Sequence, residues 1–83
     1  MTDTPTPARP SQRWTATLDG RRLRQLRRQH HLSQDQLAAK AGISTATVTR
    51  LEQAPRITCR SRTLGRLARA LDEEPTRLTP PSP

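Results

Sequence analysis

The sequence predicts an all-α fold, a compact bundle of four to five short helices built around a helix-turn-helix. Three observations carry that expectation. The run at 34–53, QDQLAAKAGISTATVTRLEQ, reads as two short helices joined by a tight turn at Gly42. Its apolar positions Leu37, Ala38, Ala41, Ile43, Val48 and Leu51 are what two helices crossing steeply there would bury against each other. Further on, Leu64, Leu67, Ala68 and Leu71 recur at i, i+3, i+4 and i+7, the stripe of a helix with one buried face. Finally, the chain has 83 residues, no Phe, no Tyr and a single Trp, so its core must come from Leu, Ile, Val and Ala. Near the lower size limit for an independent domain, short local contacts between helices are the economical way to build such a core.

In chain order, 1–17 is expected to be a disordered, Pro-rich, basic arm. Pro5, Pro7 and Pro10 alternate with Thr, Ser and charged residues, among them Arg9 and Arg13, and too little apolar surface is present to fold. Trp14 falls where the arm meets the domain, which is expected to span 18–79.

The first helix begins at Asp19, whose carboxylate suits the orphan N–H groups of a first turn. Leu18 and Leu23 have the spacing of a hydrophobic staple. Leu23 and Leu26 form the buried face, with His30 one turn on. Arg21, Arg22, Arg24, Arg27 and Arg28 place five cations within eight residues, more than a solvated face needs. Phosphate contact by this helix follows, with Arg28 the candidate.

The second helix opens with Ser33 as N-cap and Gln36 three residues on, a capping box. Gly42 is its left-handed stop. Ser44 then caps a third helix over 45–53, and Leu32–Leu37 and Ile43–Val48 repeat the staple spacing. The side of the third helix opposite its apolar positions carries Thr45, Ala46, Thr49 and Arg50. That side is small, polar and basic, which suits a helix entering a DNA groove. Arg50 is the one residue there able to grip a guanine edge with two hydrogen bonds.

Pro55 blocks continuation of the third helix, so 54–60 is expected to be a loop exposing Arg56 and Arg60 for contact with DNA phosphates, with Ile57 and Cys59 tucked inward. The fourth helix starts near Ser61 and turns Arg62, Arg66 and Arg69 to solvent. Gly65 weakens it and is expected to admit the close approach of a neighbouring helix. Pro75–Leu78 is expected as a short fifth helix with proline at its first position and Leu78 closing the bundle. A disordered tail, 80–83, follows.

Fifteen Lys and Arg oppose seven Asp and Glu, a formal charge of +8. An excess this large on so small a chain implies a polyanionic partner. All but one of the cations are Arg, whose planar fork fits phosphate and guanine edges. RNA is the less suited polyanion, since no aromatic platform is available for stacking bases. Cys59 stands alone, so no intramolecular disulfide can form. No apolar run is long enough for a signal peptide or a membrane span. A cytoplasmic protein of bacterial or phage-like type, associated with the nucleoid and making no membrane contact, is the expectation. No nucleophile–base pair, carboxylate dyad or Gly-rich phosphate loop is present, so the protein is not expected to be an enzyme. The adjacent His30 and His31 point in different directions, and no metal or cofactor is expected.

The text LRQLRRQHHLSQDQLAAKAGISTATVTRLEQ, followed by LGRLARAL, resembles the lambda-repressor-like helix-turn-helix family of Cro- and XRE-type regulators. The most specific part is LSQ-x-x-LA-x-x-AGIS with V-x-x-LE after it. The resemblance covers about two thirds of the chain. It implies a five-helix domain that binds double-stranded operator DNA as a two-fold homodimer, formed in solution or only on the DNA. Thr45, Ala46, Thr49 and Arg50 would occupy base-reading positions. Gln34 would contact a backbone phosphate and brace a side chain of the reading helix, and Ser44 and Thr47 would also face phosphates. Arg27 and Glu52 match a pair that forms a partly buried salt bridge in the family. Ala54 and Pro55 depart from the pattern, which often has glycine at that place. The alternative use of the same fold is an antitoxin-like or other protein-interaction module with a protein partner.

Overall fold

The computed structural model describes residues 15–80. The expectations for 1–14, Trp14 included, and for 81–83 lie outside the described residues. In chain order the elements are strand β1 (Thr15–Leu18), helices α1 (Gly20–Gln29), α2 (Gln34–Ala41) and α3 (Thr45–Leu51), strand β2 (Ile57–Arg60), helix α4 (Ser61–Ala70) and one 3-10 turn, Pro75–Leu78.

The helix starts are where local chemistry puts them. The Asp19 carboxylate accepts from the Arg21 and Arg22 N–H groups at 3.0 and 3.2 Å. Ser33 and Gln36 make both bonds of the capping box, at 3.0 and 2.8 Å. Ser44 Oγ accepts the Thr47 N–H at 3.1 Å. Three helix ends share one device. Each has a left-handed residue, His31 (φ 57°), Gly42 (φ 74°) or Asp72 (φ 56°). The next N–H then reaches back: Leu32 to Arg27 O, Ile43 to Ala38 O, Glu73 to Ala68 O. These are Schellman closures. Only Gly42 was legible as a stop, because His31 and Asp72 adopt the turn despite carrying side chains.

The fold is not all-α. Thr15–Leu18, most of it expected within the disordered arm, pairs antiparallel with Ile57–Arg60, expected to be loop. In this register Ala16 lies opposite Cys59 and Leu18 opposite Ile57, and these four pack on the helical core. Thr17, Thr58 and Arg60 point away and are exposed. The alternation is that of a strand pair with one buried face. Two further expectations shift. The third helix ends at Leu51 rather than at 53, with Glu52 as its C-cap. The fifth helix is a 3-10 turn, with Pro75 at its start as expected.

α2 and α3 cross over the core, α2 and the sheet rest on α4, and the 3-10 turn packs against α4 and α1. Leu18, Leu23, Leu37, Val48, Leu51, Leu67, Leu71 and Leu78 are fully enclosed. His30 ends exposed at the C-terminus of α1, not on the buried face. At the start of α1, the Asp19 N–H donates to Leu78 O at 2.7 Å and the Gly20 N–H to Ala54 O at 3.0 Å. A Cβ on Gly20 would run into the backbone oxygens of Leu51 and Ala54. The tight approach is therefore at Gly20. Gly65, expected to admit a neighbouring helix, faces open space.

Candidate nucleic-acid interface

α2, the Gly42 turn and α3 form one packed unit whose crossing is set by polar side chains as well as by the core. Arg27 on α1 meets Glu52, just past α3, through Nε to Oε2 at 2.6 Å and Nη2 to Oε1 at 3.0 Å. The Arg27 Nη1 donates to Leu32 O at 2.9 Å. The two side chains keep only 11 % and 4 % of their surface, so this pair is shielded from solvent. Burial alone would raise the Glu52 pKa. Hydrogen bonds from Arg27 and Gln34 and the charges of Arg27 and Arg24 outweigh it and hold the carboxyl below its ordinary value. The Glu52 bond in turn raises Arg27, against the effect of burial. The pairing implied by the family resemblance is thus present.

Gln34 extends the network onto the outer edge. Its Nε2 donates to Glu52 Oε1 at 3.0 Å, and its Oε1 accepts from the Thr49 hydroxyl at 2.9 Å. Gln34 thus holds a side chain of α3 in place. One amide N–H of Gln34 is left over for an outside acceptor. Thr45, the first residue of α3, donates to Asp35 Oδ1 at 2.6 Å. Ala46 and Arg50 are exposed along the same helix, and Thr45 and Thr49 are half-buried. Ser44 and Thr47 share a hydroxyl–hydroxyl bond of 2.8 Å, which leaves one of the two hydroxyl protons to point outward.

Arg28 is exposed on α1. It lines a groove with Arg21, Arg24, Gln25 and Gln29. Arg24 also borders a second groove, with Gln34, Thr49 and Gln53. Arg24 therefore joins the basic face of α1 to the outer edge of α2 and α3. Arg56 and Arg60 line neither groove; Arg56 lies in the turn after α3, and Arg60 is at the end of β2 opposite Thr15. Cys59 is buried in the sheet, and burial raises its thiol pKa against the opposing Arg50 charge and the Leu64 backbone. Among the described residues, no group of three or more His, Cys, Asp or Glu is placed to hold a metal ion, and no helix is long and apolar enough to cross a membrane.

Two residues of this edge were not singled out in the sequence: Asp35, and Arg24 among the arginines of α1. Asp35 sits ten residues before its partner Thr45, and nothing short of the crossing of α2 over α3 brings them together. Arg24 is one of five similar arginines, and only the orientation of α1 separates it from the rest.

A glycine turn between two capped helices, pinned by a buried ion pair and edged with small polar and basic side chains, defines a helix-turn-helix domain. A family model described as a helix-turn-helix domain matches residues 20–79, and the chain belongs to that family of DNA-binding regulators. Among solved structures, the restriction-modification controller protein C.AhdI from Aeromonas hydrophila is similar at 38 % sequence identity, over 70 % of this chain and 86 % of that one, with a TM-score of 0.64. No curated protein gives a significant match.

Proposed function

We propose that this protein is a sequence-specific transcriptional regulator that binds double-stranded DNA as a two-fold pair and reads the major groove with α3. The observation that carries the proposal is the Arg27–Glu52–Gln34–Thr49 chain of hydrogen bonds. It locks the crossing of α2 and α3 and leaves Thr45, Ala46, Thr49 and Arg50 along one edge. Rigid presentation of a few side chains is what groove reading demands.

Within this reading, Thr45, Ala46, Thr49 and Arg50 face base edges. Gln34, Ser44, Thr47 and Arg28 hold phosphates and set the register. Arg56, in the turn after α3, and Arg60, at the end of β2, add phosphate contacts. One such module reads only a few base pairs. Useful specificity then needs a second copy about 34 Å, one helical turn, away, hence an inverted repeat. The likeness to a restriction-modification controller protein supports the regulatory part of this reading.

Selection of bound sequences from a random double-stranded DNA pool tests the proposal. The expected result is one enriched motif that recurs as an inverted repeat. A pool that stays random after repeated rounds overturns the proposal, and a single unrepeated half-site overturns the two-fold part alone.

A further inference from the structure

The hydrogen bonds of the α2–α3 edge have a fixed direction, and that direction limits which bases the edge can accept. The sequence of donors starts at Arg27, whose guanidinium has no acceptor atom. Glu52, a carboxylate, can only accept. The Gln34 side chain must therefore turn its Nε2 toward Glu52 Oε1, at 3.0 Å. Its Oε1 is then directed at Thr49, and the Thr49 hydroxyl has to donate, at 2.9 Å. Thr45 reaches the same state by a separate route. Its neighbour at 2.6 Å is the Asp35 carboxylate, so its hydroxyl proton is committed as well.

A hydroxyl has one proton. With that proton turned inward, Thr45 and Thr49 show the outside only oxygen lone pairs and a methyl group. The exposed Asp35 carboxylate beside Thr45 is likewise acceptor-only. In the major groove, guanine offers two acceptors, N7 and O6, whereas cytosine N4 and adenine N6 each offer an amino donor. An acceptor-only protein edge pairs with the amino groups and sets lone pair against lone pair at guanine.

We propose that Asp35 is a specificity-determining positioning residue. By holding the Thr45 proton, it makes the first contact of α3 demand a base with an amino group in the major groove, cytosine or adenine, and reject guanine, whose amino group lies in the minor groove. The inference rests on the DNA-reading function above. It divides the reading edge into two chemistries: Arg50, donor-only, takes guanine, and the Asp35–Thr45 pair takes an amino base. The arrangement has a sequence signal, an acidic residue directly after Gln34, but its meaning depends on Thr45 lying within hydrogen-bond reach.

The test is selection from a random double-stranded DNA pool with the wild type, Thr45→Val and Asp35→Ala, each as the full chain. The base position whose preference shifts in Thr45→Val is the one beneath Thr45. At that position the wild type should deplete guanine about tenfold against cytosine and adenine. Asp35→Ala frees the hydroxyl to donate, and the depletion should shrink to within about twofold while the rest of the motif holds. A motif that favours guanine there, one left unmoved by Thr45→Val, or one identical in Asp35→Ala overturns the inference and leaves the DNA-reading function standing. A wild-type pool with no enriched motif overturns that function itself. The wild-type and Thr45→Val selections already decide whether guanine is rejected, so a folding defect in Asp35→Ala cannot shield the idea.

Discussion

At the scale of single residues, two glycines have opposite meanings. Gly20 starts α1 with its N–H bonded to Ala54 O, in a space that a Cβ would have to share with the Leu51 and Ala54 carbonyls. These are backbone atoms at the end of α3 and cannot swing aside. Gly20→Ala is expected to cost about 3 kcal/mol, a large part of the roughly 5 kcal/mol that a domain of this size holds. Gly65 sits inside α4 and faces open space, so Gly65→Ala meets nothing and gains helix propensity. A gain of about 0.5–1 kcal/mol is expected, or a rise in Tm of about 4 °C. Thermal unfolding of the two variants beside the wild type checks both. A stable Gly20→Ala, or a destabilised Gly65→Ala, would contradict the packing described here. The propensity cost of Gly65 was legible beforehand, but its open surroundings and the crowding at Gly20 were not, since a glycine's letter does not say whether its missing side chain faces backbone or water.

At the scale of elements, what was legible was what chemistry decides within four or five residues. Asp19, Ser33 with Gln36, Ser44 and Gly42 each act on N–H or carbonyl groups of their own turn, and the helices begin and stop there. The sheet is different. Each strand is four residues long, and Leu18 meets Ile57 across most of the domain. TATL and ITCR are too short for a period-two pattern to stand out, and α1 to α3 lie between them in sequence. The buried pair shows the same divide. Arg27 and Glu52 were legible only through the family resemblance, as they lie on different elements. Their role predicts a pH effect. The Glu52 pKa is depressed in the folded state, so the pair contributes stability above the unfolded glutamate value and loses it as pH falls through the folded one. Urea unfolding should show stability dropping below about pH 4. Glu52→Gln should be less stable at neutral pH, with a shallower acid limb. If the wild-type and variant limbs run parallel, other carboxylates carry the acid sensitivity.

At the scale of the whole molecule, net charge and local contact make different predictions for salt. The formal charge is +8, yet counterion release depends on how many phosphates the bound protein neutralises, not on its total charge. Of the six residues proposed to face phosphates, Gln34, Ser44 and Thr47 are neutral, which leaves the cations Arg28, Arg56 and Arg60. Three neutralised phosphates give a log–log salt slope of about −3 for one protomer and about −5 for a two-fold pair. Arg24, which joins the α1 groove to the α2–α3 edge, would deepen the slope by about 1 per protomer if it too meets a phosphate. Titrating a selected operator at several salt concentrations separates these cases. Arg28→Ala should reduce the slope of the pair by about 2, one from each protomer, and weaken all sequences alike. If the wild-type slope lies near zero, the basic face of α1 does not lie against DNA, and the arginines there serve another partner. If it approaches about −14, every unit of net charge is engaged, and the few-contact picture built on α1, α2 and α3 is too small.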